Sequence, residues 1–189
     1  MKNQFIIGAR VYLRAIAKSD LTEEYQNWFN DEEVCKHNSH HRFPNYRENM
    51  EEYFRTVISS KNNLILGIID KETDKHIGNI ALQCIDSINR NAELAIIVGD
   101  KEYWGKGVGK EAAALIVNHG FNQLNLYRIY CATSEDNIAM QKLAESLGFK
   151  KEGVVRECFY KNGGYVDSIN YGLLKHEYEK EKENTDNNS

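Results

Sequence analysis

Long apolar runs are missing from this sequence, although 41% of its 189 residues are hydrophobic. The opening residues 1–15 lack the continuous apolar core and small-residue cleavage site of a secretory signal peptide. No stretch reaches the length of about 18 apolar residues that a transmembrane helix requires. We therefore expect a soluble, cytoplasmic protein with no membrane partner.

Closely spaced cysteines and metal-ligand patterns are also missing. The four cysteines are Cys35, Cys84, Cys131 and Cys158. They are widely separated and form no CxxC pair, and the six histidines include no HExxH pattern. We therefore expect reduced thiols, as in cytoplasmic proteins, and no bound metal.

A basic excess is the third absence. The chain has 24 Lys and Arg residues against 28 Asp and Glu residues, which gives a formal net charge of −4. Proteins that bind nucleic acid usually carry a clustered basic excess, so we expect no nucleic-acid partner. The length predicts a single domain with one hydrophobic core. An anionic ligand must therefore be bound by a local group of residues.

Such a local group lies between residues 92 and 118. An apolar, strand-like segment ends at Gly99 and Asp100, a glycine-rich turn follows, and a helix begins directly after it. Glycine lets the backbone turn tightly against a ligand, and the N–H groups at a helix start bind anions. The residues of this predicted phosphate cradle are Trp104, Gly105, Lys106, Gly107, Val108, Gly109 and Lys110.

Two common phosphate-binding motifs do not fit the cradle. A P-loop has Ser or Thr after its Gly-Lys pair, where this chain has Glu111, which argues against a nucleotide triphosphatase. A dinucleotide fingerprint has a third small residue where this chain has Lys110. The cradle instead resembles the acetyl-CoA pyrophosphate loop of the GNAT acetyltransferase superfamily, (Arg/Gln)-x-x-Gly-x-(Gly/Ala), with Gly107 and Gly109 as its glycines. Trp104 replaces the usual Arg or Gln, which is similar to the branch of the RimJ and RimL ribosomal-protein N-terminal acetyltransferases.

A second segment strengthens the resemblance. The chain from Asn137 to Phe149 is similar to the superfamily segment Asn-x-x-(Ala/Ser)-x-x-Leu-x-x-x-x-Gly-Phe in order and spacing. A lone glycine-rich loop is also typical of a surface turn that caps a helix. The two segments together make the resemblance specific, and it covers roughly residues 8–178.

The pattern of apolar and turn residues predicts a mixed α/β fold. We expect strands near residues 10–15, 64–70, 75–85, 92–99, 127–133, from 149, and 165–174. We expect helices from a cap at Ser19 or Asp20 to Phe29, over 46–59, from the cradle to Gln123, and from a cap at Ser134 or Asp136 to Leu147. The predicted buried stripe of the second helix is Tyr53, Phe54, Val57 and Ile58, and Gly148 should be left-handed.

The resulting order, βααβββαβαββ, is that of the GNAT acyl-CoA N-acyltransferase fold. The resemblance implies one domain over residues 8–178, a sheet of mixed direction and parallel strands on either side of the cradle helix. The polar residues 180–189 should form a disordered tail. Similar proteins are often homodimers, which gives an expectation for the oligomeric state.

The resemblance also implies acetyl-CoA as cosubstrate, with no metal. Backbone groups of Ile97 and Val98 would bind the pantetheine arm, and the cradle would bind the pyrophosphate. Asn137 would meet the pantetheine or a bridging water, although an Asn here also fits a role in capping a helix. The backbone N–H of Val98 is the expected donor to the oxyanion of the tetrahedral intermediate.

Acetyl transfer to an amine requires an uncharged nitrogen. An alkyl ammonium with a pKa near 10 is only about one part in a thousand neutral at pH 7, so a base must remove a proton. The resemblance makes Glu93 the first candidate, although an exposed strand carboxylate paired with Arg90 is an equally good interpretation. His40 or His41 is the second candidate, because the ordinary pKa of histidine suits the task.

Both usual proton donors for the leaving thiolate are absent. Ala144 stands where many GNAT enzymes have Tyr, and Met140 stands where RimJ/RimL-type proteins often have Ser. A thiolate is a tolerable leaving group, so the absence slows the reaction without excluding it. The open substitutes are a water and Tyr130, Cys131, Thr133 or Ser134. The absence also leaves an alternative function, an acyl-CoA-binding regulatory or scaffolding protein without turnover.

The sequence leaves several acceptors open. The predicted lining residues are Trp28, Glu33, His40, Arg42, Phe43 and Tyr160, of which the aromatic ones equally fit a core. The acidic residues 31–33 suit a polyamine, Arg42 suits the diphosphate of an amino-sugar nucleotide, and a protein N-terminus fits equally. We therefore predict an acetyl-CoA-dependent N-acetyltransferase that acts on a primary amine by direct attack in a ternary complex.

Overall fold

The computed structural model describes residues 3–161 and 163–186. The strands are β1 Ile6–Ile7, β2 Val11–Ala15, β3 Leu64–Asp70, β4 His76–Asp86, β5 Asn91–Val98, β6 Arg128–Ser134, β7 Lys150–Lys161 and β8 Gly164–Leu174. The helices are α1 Glu23–Asn30, α2 Arg47–Ser59, α3 Val108–Asn122, α4 Ile138–Glu145 and α5 Lys175–Asp186. The predicted order is confirmed, with β1 added at the start and α5 at the end.

The chain forms two compact units. The first contains residues up to Gln83 and Ala95–Ile116, and the second contains Cys84–Leu94 and the residues from Val117 onward. Strands β4 and β5 and helix α3 each contribute to both units. Hydrogen-bonded neighbours follow the strand order β1-β2-β3-β4-β5-β6-β8-β7. This is the mixed sheet that the sequence predicted.

In the first unit, β1 to β4 pair as antiparallel neighbours. Their apolar residues supply a core in which Leu13, Ile68 and Ile77 are fully buried. Helices α1 and α2 add a cluster of Leu21, Tyr25, Trp28 and Met50. The burial of this cluster explains the period of apolar residues along α1.

In the second unit, the first residues of β5 pair in parallel with β6, from Asn91 opposite Arg128 to Glu93 opposite Tyr130. This confirms the parallel pairing that was predicted for the strands around the cradle helix. Strand β8 pairs antiparallel with both β6 and β7. Gly148 ends the turn after α4 with a φ of +83°, so its predicted left-handed conformation is also confirmed.

The cap of α1 differs from the prediction. Thr22, and not Ser19 or Asp20, is the N-cap, because its side chain accepts a hydrogen bond from the backbone N–H of Tyr25. Asp20 is instead buried against Arg14, with 2.6 Å between Arg14 Nη1 and Asp20 Oδ2. Burial alone would raise the pKa of Asp20, but the hydrogen bonds from Arg14 and from the Ala17 backbone outweigh it and lower that pKa.

The cap of α4 differs too. Asn137 is the N-cap, and its Oδ1 accepts a hydrogen bond of 3.2 Å from the Met140 N–H. The predicted caps, Ser134 and Asp136, bond to each other, and Lys161 Nζ lies 3.0 Å from Asp136. The N-cap therefore lies one to three positions later than predicted, because Ser134 and Asp136 are held by a lysine that is distant in sequence.

The predicted buried stripe of α2 is also wrong in part. Tyr53 and Ile58 are 43% and 63% exposed, and Met50 is the one described residue of α2 that is buried. Met50 joins the cluster on α1, and Phe54 of the predicted stripe packs against that cluster and is partly buried. Tyr53 is consequently available to line a cavity.

The C-terminal tail was predicted to be disordered from Lys180, but α5 continues to Asp186. The start of α5 is fixed by Glu177, which accepts a hydrogen bond of 3.1 Å from the Leu174 N–H and pairs with Lys150. Tyr178 packs on Phe121 with 5.1 Å between ring centroids. Charged residues with good helix propensity then extend the helix, and residues 187–189 lie outside the described residues.

Candidate active site

Two residues of the cradle have a backbone conformation that only glycine adopts without strain. Gly105 and Gly107 have φ values of +70° and +77°, and α3 starts at Val108 directly after them. The first intrahelical contact is the hydrogen bond of 3.1 Å from the Glu111 N–H to the Gly107 oxygen. The N–H groups that precede Glu111 at the helix start therefore point along the helix axis, as an anion site requires.

Glu111 ties the cradle to β2. Its Oε1 accepts hydrogen bonds from the backbone N–H groups of Arg10 and Val11, at 2.8 and 3.2 Å. Its Oε2 lies 3.0 Å from Arg10 Nε, and Arg10 also donates to the Lys106 carbonyl. Burial opposes ionisation, but these contacts outweigh it and lower the pKa of Glu111. Glu111, which stands where a P-loop would have Ser or Thr, therefore has a structural role in holding the cradle against β2.

Trp104, at the position of the usual Arg or Gln, connects the cradle to β5. Its indole Nε1–H donates a hydrogen bond of 2.7 Å to the carbonyl oxygen of Val98, the last residue of the strand. Lys106 lies with its Nζ 5.5 Å from the centroid of the Tyr103 ring, a cation–π contact. Lys106 and Lys110 are exposed and supply positive charge beside the helix start.

A cavity of about 290 Å³ in the first unit is lined by α1, the segment 38–45, α2 and residues of β3, β4 and β5. Ile96 and Ile97 form one wall, and the next residue of β5 is Val98, which Trp104 contacts. The same strand segment therefore borders the cavity and leads into the cradle.

The polar lining of the cavity is uncharged. It consists of Tyr25, Asn38, His40, Asn45, Asn49, Tyr53, Asn79 and Gln83. Among the described residues that line the cavity there is no Asp, Glu, Lys or Arg side chain. The cavity is suited to a ligand whose groups are neutral and form hydrogen bonds.

Asn45 fixes the segment that carries His40. Its side-chain Nδ2 donates to the backbone carbonyl oxygens of Phe29 and His40, at 2.8 and 2.9 Å. Its backbone carbonyl oxygen accepts hydrogen bonds from the side chains of Gln26 and Asn30. The His40 ring meets the Phe29 ring edge-on at a centroid distance of 5.0 Å. Desolvation lowers the pKa of His40, so its imidazole is neutral at pH 7 and is able to accept a proton.

Other predicted acceptor residues of the first unit lie outside this lining. Trp28 is 5% exposed and covers Gly99, where an added Cβ would lie 2.0 Å from the Trp28 ring, so it belongs to the core. Glu33 is paired with Lys101 at 2.9 Å, and Lys101 also lies 2.7 Å from Asp31. Arg42 and Phe43 are exposed in the short 3₁₀ turn and just after it.

Three predicted site residues belong to the second unit. Glu93 lies on β5 opposite Tyr130, and Arg90 donates instead to Asn125, with 2.8 Å from Nε to the carbonyl oxygen. Within the described part of the chain no ion pair joins Arg90 to Glu93. Asn137 caps α4, as described above, and Tyr160 is 59% exposed on β7.

The residues weighed as substitute proton donors are also in the second unit. Burial, and then the charge of Glu93, raises the pKa of Cys131 to about 12, and the same two causes in that order raise the pKa of Tyr130. Thr133 and Ser134 are buried hydroxyls. Ala144 is fully buried, so the position of the usual tyrosine is occupied by packed core.

Sequence reasoning did not single out Tyr25, Asn79 or His76, which form a hydrogen-bonded chain at the cavity wall. The sequence signal for this hydrogen-bonded chain was Asn79, because a polar residue within the apolar run of β4 needs a hydrogen-bond partner. Among residues 3–161 and 163–186 no group of three or more His, Cys, Asp or Glu side chains could hold a metal ion, and no helix is long and apolar enough to cross a bilayer.

Comparison with known families agrees with this geometry. A family model described as "Acetyltransferase (GNAT) domain" matches residues 10–150, which include β2, the cavity elements and the cradle. The chain belongs to the GNAT acetyltransferase family. It is 34% identical over 176 residues to "Uncharacterized N-acetyltransferase p20" of Bacillus licheniformis, covering 89% of this chain and 95% of that protein.

The chain is also similar to two further N-acetyltransferases. YdaF of Bacillus subtilis (strain 168), whose name marks it as a candidate ribosomal N-acetyltransferase, is 31% identical over 137 residues, covering 72% of this chain and 73% of YdaF. The crystal structure of a spermidine N-acetyltransferase from Vibrio cholerae in complex with CoA and spermine has a TM-score of 0.80 and 27% identity, covering 89% of this chain and 98% of that one. The predicted GNAT family, acyltransferase class and acetyl-CoA cosubstrate are thus confirmed, and YdaF agrees with the RimJ/RimL resemblance.

Proposed function

We propose that this GNAT enzyme transfers the acetyl group of acetyl-CoA to a primary amine that is held in the cavity. The observation that carries the proposal is the course of β5, because Ile96 and Ile97 line the cavity and Val98 leads into the cradle. Cosubstrate bound along this strand would present its thioester beside the cavity, as direct attack in a ternary complex requires.

The cosubstrate would be bound mainly by the backbone. Its pyrophosphate would lie at the N–H groups of the cradle, with Lys106 and Lys110 adding positive charge. Its pantetheine arm would bond to Ile97 and Val98, and the Val98 N–H would donate to the oxyanion. Asn137, whose Oδ1 is used by the α4 cap, stays a prediction as a pantetheine contact.

The reaction forms a C–N bond and breaks the C–S bond; CoA leaves as the thiolate, and the thiolate takes up the proton that the nitrogen loses as it becomes an amide. The ammonium form of the acceptor must first lose a proton to become nucleophilic. His40 is the base that accepts this proton, because His40 lines the cavity and its lowered pKa leaves the imidazole neutral. Glu93 remains the competing prediction from the sequence.

The cavity favours an acceptor with a neutral polar body over a polyamine. Its described lining holds no carboxylate, and Asp31 and Glu33 lie outside that lining and both pair with Lys101. An amino sugar, or the terminal residue of a peptide, fits the amide-rich wall better than an alkyl chain with two or three positive charges.

The test is CoA release from acetyl-CoA with a panel of amines. The panel contains glucosamine, an amino-sugar nucleotide, Ser- and Ala-starting peptides, spermidine and spermine. We expect a kcat/KM at least about tenfold higher for a neutral-bodied amine than for spermidine, since one unmet buried charge costs more than a tenfold factor. A preference for spermidine would contradict the acceptor class. If acetyl-CoA binds and no amine releases CoA, the protein is a binding protein without turnover.

A further inference from the structure

Three side chains form a hydrogen-bonded chain at the back of the cavity. Tyr25 Oη lies 2.9 Å from Asn79 Nδ2, and Asn79 Oδ1 lies 2.9 Å from His76 Nε2. The same His76 nitrogen lies 2.9 Å from the Gly78 carbonyl oxygen. Tyr25 and Asn79 line the cavity, and the His76 ring stacks on the Tyr25 ring with 5.6 Å between centroids.

The direction of each hydrogen bond in this chain follows from the donors and acceptors. The Gly78 carbonyl has no hydrogen to give, so His76 Nε2 must carry the proton and donate. Asn79 must then turn its Oδ1 toward His76 and its Nδ2 toward Tyr25, because the reverse orientation would set two donors against each other. Tyr25 Oη therefore accepts a hydrogen bond from Asn79.

The hydroxyl hydrogen of Tyr25 is consequently directed away from Asn79. Within the described part of the chain, Asn79 is the only hydrogen-bond partner found for this hydroxyl. Tyr25 is 2% exposed and its open side is the cavity. Burial raises the pKa of Tyr25 to about 12, so the group is an O–H donor over the whole range in which an acetyltransferase works.

We propose that Tyr25 is a specificity-determining residue, which donates a hydrogen bond from its hydroxyl to a hydroxyl or carbonyl oxygen of the amine acceptor. Asn79 and His76 are positioning residues, which act through Tyr25 by fixing the direction of its O–H bond. The inference rests on the proposed function, and it narrows the acceptor to a primary amine that carries an oxygen near its nitrogen.

A polyamine does not satisfy this donor. Its protonated nitrogens are themselves donors only, so one of them would face the Tyr25 hydrogen without a hydrogen bond. A site that is built to bond a substrate oxygen discriminates strongly against an analogue that lacks it, because the buried polar group is left unpaired. We expect about a tenfold or greater preference for the oxygen-bearing member of a matched amine pair.

The first experiment compares 3-aminopropan-1-ol with butylamine, which have similar size and differ by a hydroxyl in place of a methyl group. The ratio of their kcat/KM values is measured by CoA release with the full-length protein. We expect a ratio of about ten or more for the wild type and a ratio near one for Tyr25→Phe. The matched control, Tyr53→Phe, removes the hydroxyl of the other cavity tyrosine and should keep the ratio.

A second variant changes the direction of the Tyr25 hydroxyl and leaves Tyr25 in place. In Asn79→Asp, the carboxylate accepts from Tyr25, so the hydrogen turns away from the cavity and the ratio should fall as in Tyr25→Phe. An unchanged ratio in Tyr25→Phe, or an equal loss in Tyr53→Phe, would overturn the proposal.

A third measurement is independent of turnover. The nitrogen chemical shifts of His76 in an imidazole NMR spectrum should show the proton on Nε2; a proton on Nδ1 alone would overturn the argument for the direction of the bonds. If neither these two amines nor any amine of the wider panel releases CoA, the proposed function fails. Calorimetric binding of the two amines to the CoA-bound protein then decides: a preference for the amino alcohol that Tyr25→Phe abolishes supports the role of Tyr25, and equal or undetected binding overturns it.

Discussion

The cradle and the cavity both meet strand β5, but they are built in opposite ways. The cradle is one short stretch of chain, in which Gly105 and Gly107 shape the backbone and N–H groups face the ligand. The cavity is assembled from side chains of two helices, three strands and the segment 38–45, and its polar groups are neutral. The site for the cosubstrate therefore depends on one local stretch of sequence, whereas the site for the acceptor depends on the tertiary structure.

The largest expected effect is a loss of activity from a change in the cavity, with acetyl-CoA binding at the cradle unaffected. His40→Gln should lower kcat/KM about 100-fold, because general base catalysis contributes at least that factor, and should leave the Kd of acetyl-CoA unchanged. The wild-type kcat/KM should fall as the pH drops below His40's pKa, which is lowered from 6.5, because the protonated imidazole no longer accepts a proton. This acid limb should disappear in the variant.

The neighbouring residue provides the control for this prediction. His41→Gln changes an exposed histidine that does not line the cavity, so activity and its pH dependence should be kept. If Glu93→Gln abolishes the acid limb and His40→Gln does not, the sequence-based choice of base is correct and the assignment to His40 is wrong.

The next effect concerns the cradle alone. Gly107→Ala places a Cβ at a φ of +77°, and that Cβ would lie 3.1 Å from Arg10 Nη2. The left-handed conformation costs a non-glycine residue roughly 1–2 kcal/mol, so the Kd of acetyl-CoA should rise about tenfold. Calorimetry measures this change. Gly153→Ala, at a site with open space around the added Cβ, should leave the Kd unchanged.

A smaller effect tests the link between the cradle and β5. Trp104→Phe keeps an aromatic ring and removes the indole hydrogen bond to the Val98 carbonyl. A hydrogen bond of this kind contributes about 1 kcal/mol, so the affinity for acetyl-CoA should fall about fivefold. The comparison variant is Tyr103→Phe, which keeps the ring beneath Lys106 and should bind acetyl-CoA as the wild type does. Equal losses in the two variants would contradict a specific role for the indole.

The smallest effect is on stability at mildly acidic pH. Desolvation lowers the pKa of the half-buried His76, and this effect outweighs the opposite influence of Asp20. The unfolded chain therefore binds a proton more readily, so the free energy of unfolding is highest above pH 6.5 and decreases as the pH falls through 6.5. Urea titrations at pH 8, 6 and 5 should show this decrease. His76→Gln should reduce the pH dependence; an equal dependence in the variant would assign it to other groups.

The element types and the cradle were predictable because their signals are local. Glycines before an apolar-patterned helix, Gly148 after α4, and strands of β-branched residues each depend on a few neighbouring residues. The same reasoning failed for the caps of α1 and α4 only by one to three positions. There, Asp20 is paired with Arg14 on the preceding strand, and Ser134 and Asp136 are bonded to Lys161, which is distant in the chain.

The acceptor cavity was much less predictable, for a physical reason. Trp28 and His40 are both near aromatic and polar neighbours in the sequence, but one is buried over Gly99 and the other faces the cavity. Similarly, the acidic residues 31–33 suggest a cation site until Lys101, far along the chain, is seen to pair with two of them. Such pairings depend on the fold and not on the local pattern.

The tie between Glu111 and the start of β2 links cofactor binding to the beginning of the chain. Amide hydrogens of Arg10 and Val11 are bonded to a carboxylate on the cradle helix, so they exchange with solvent only when that contact opens. A ligand that stabilises the cradle must stabilise the closed contact by the same free energy. Acetyl-CoA should therefore slow hydrogen exchange at these two amides, which precede the cradle by about a hundred residues in the chain.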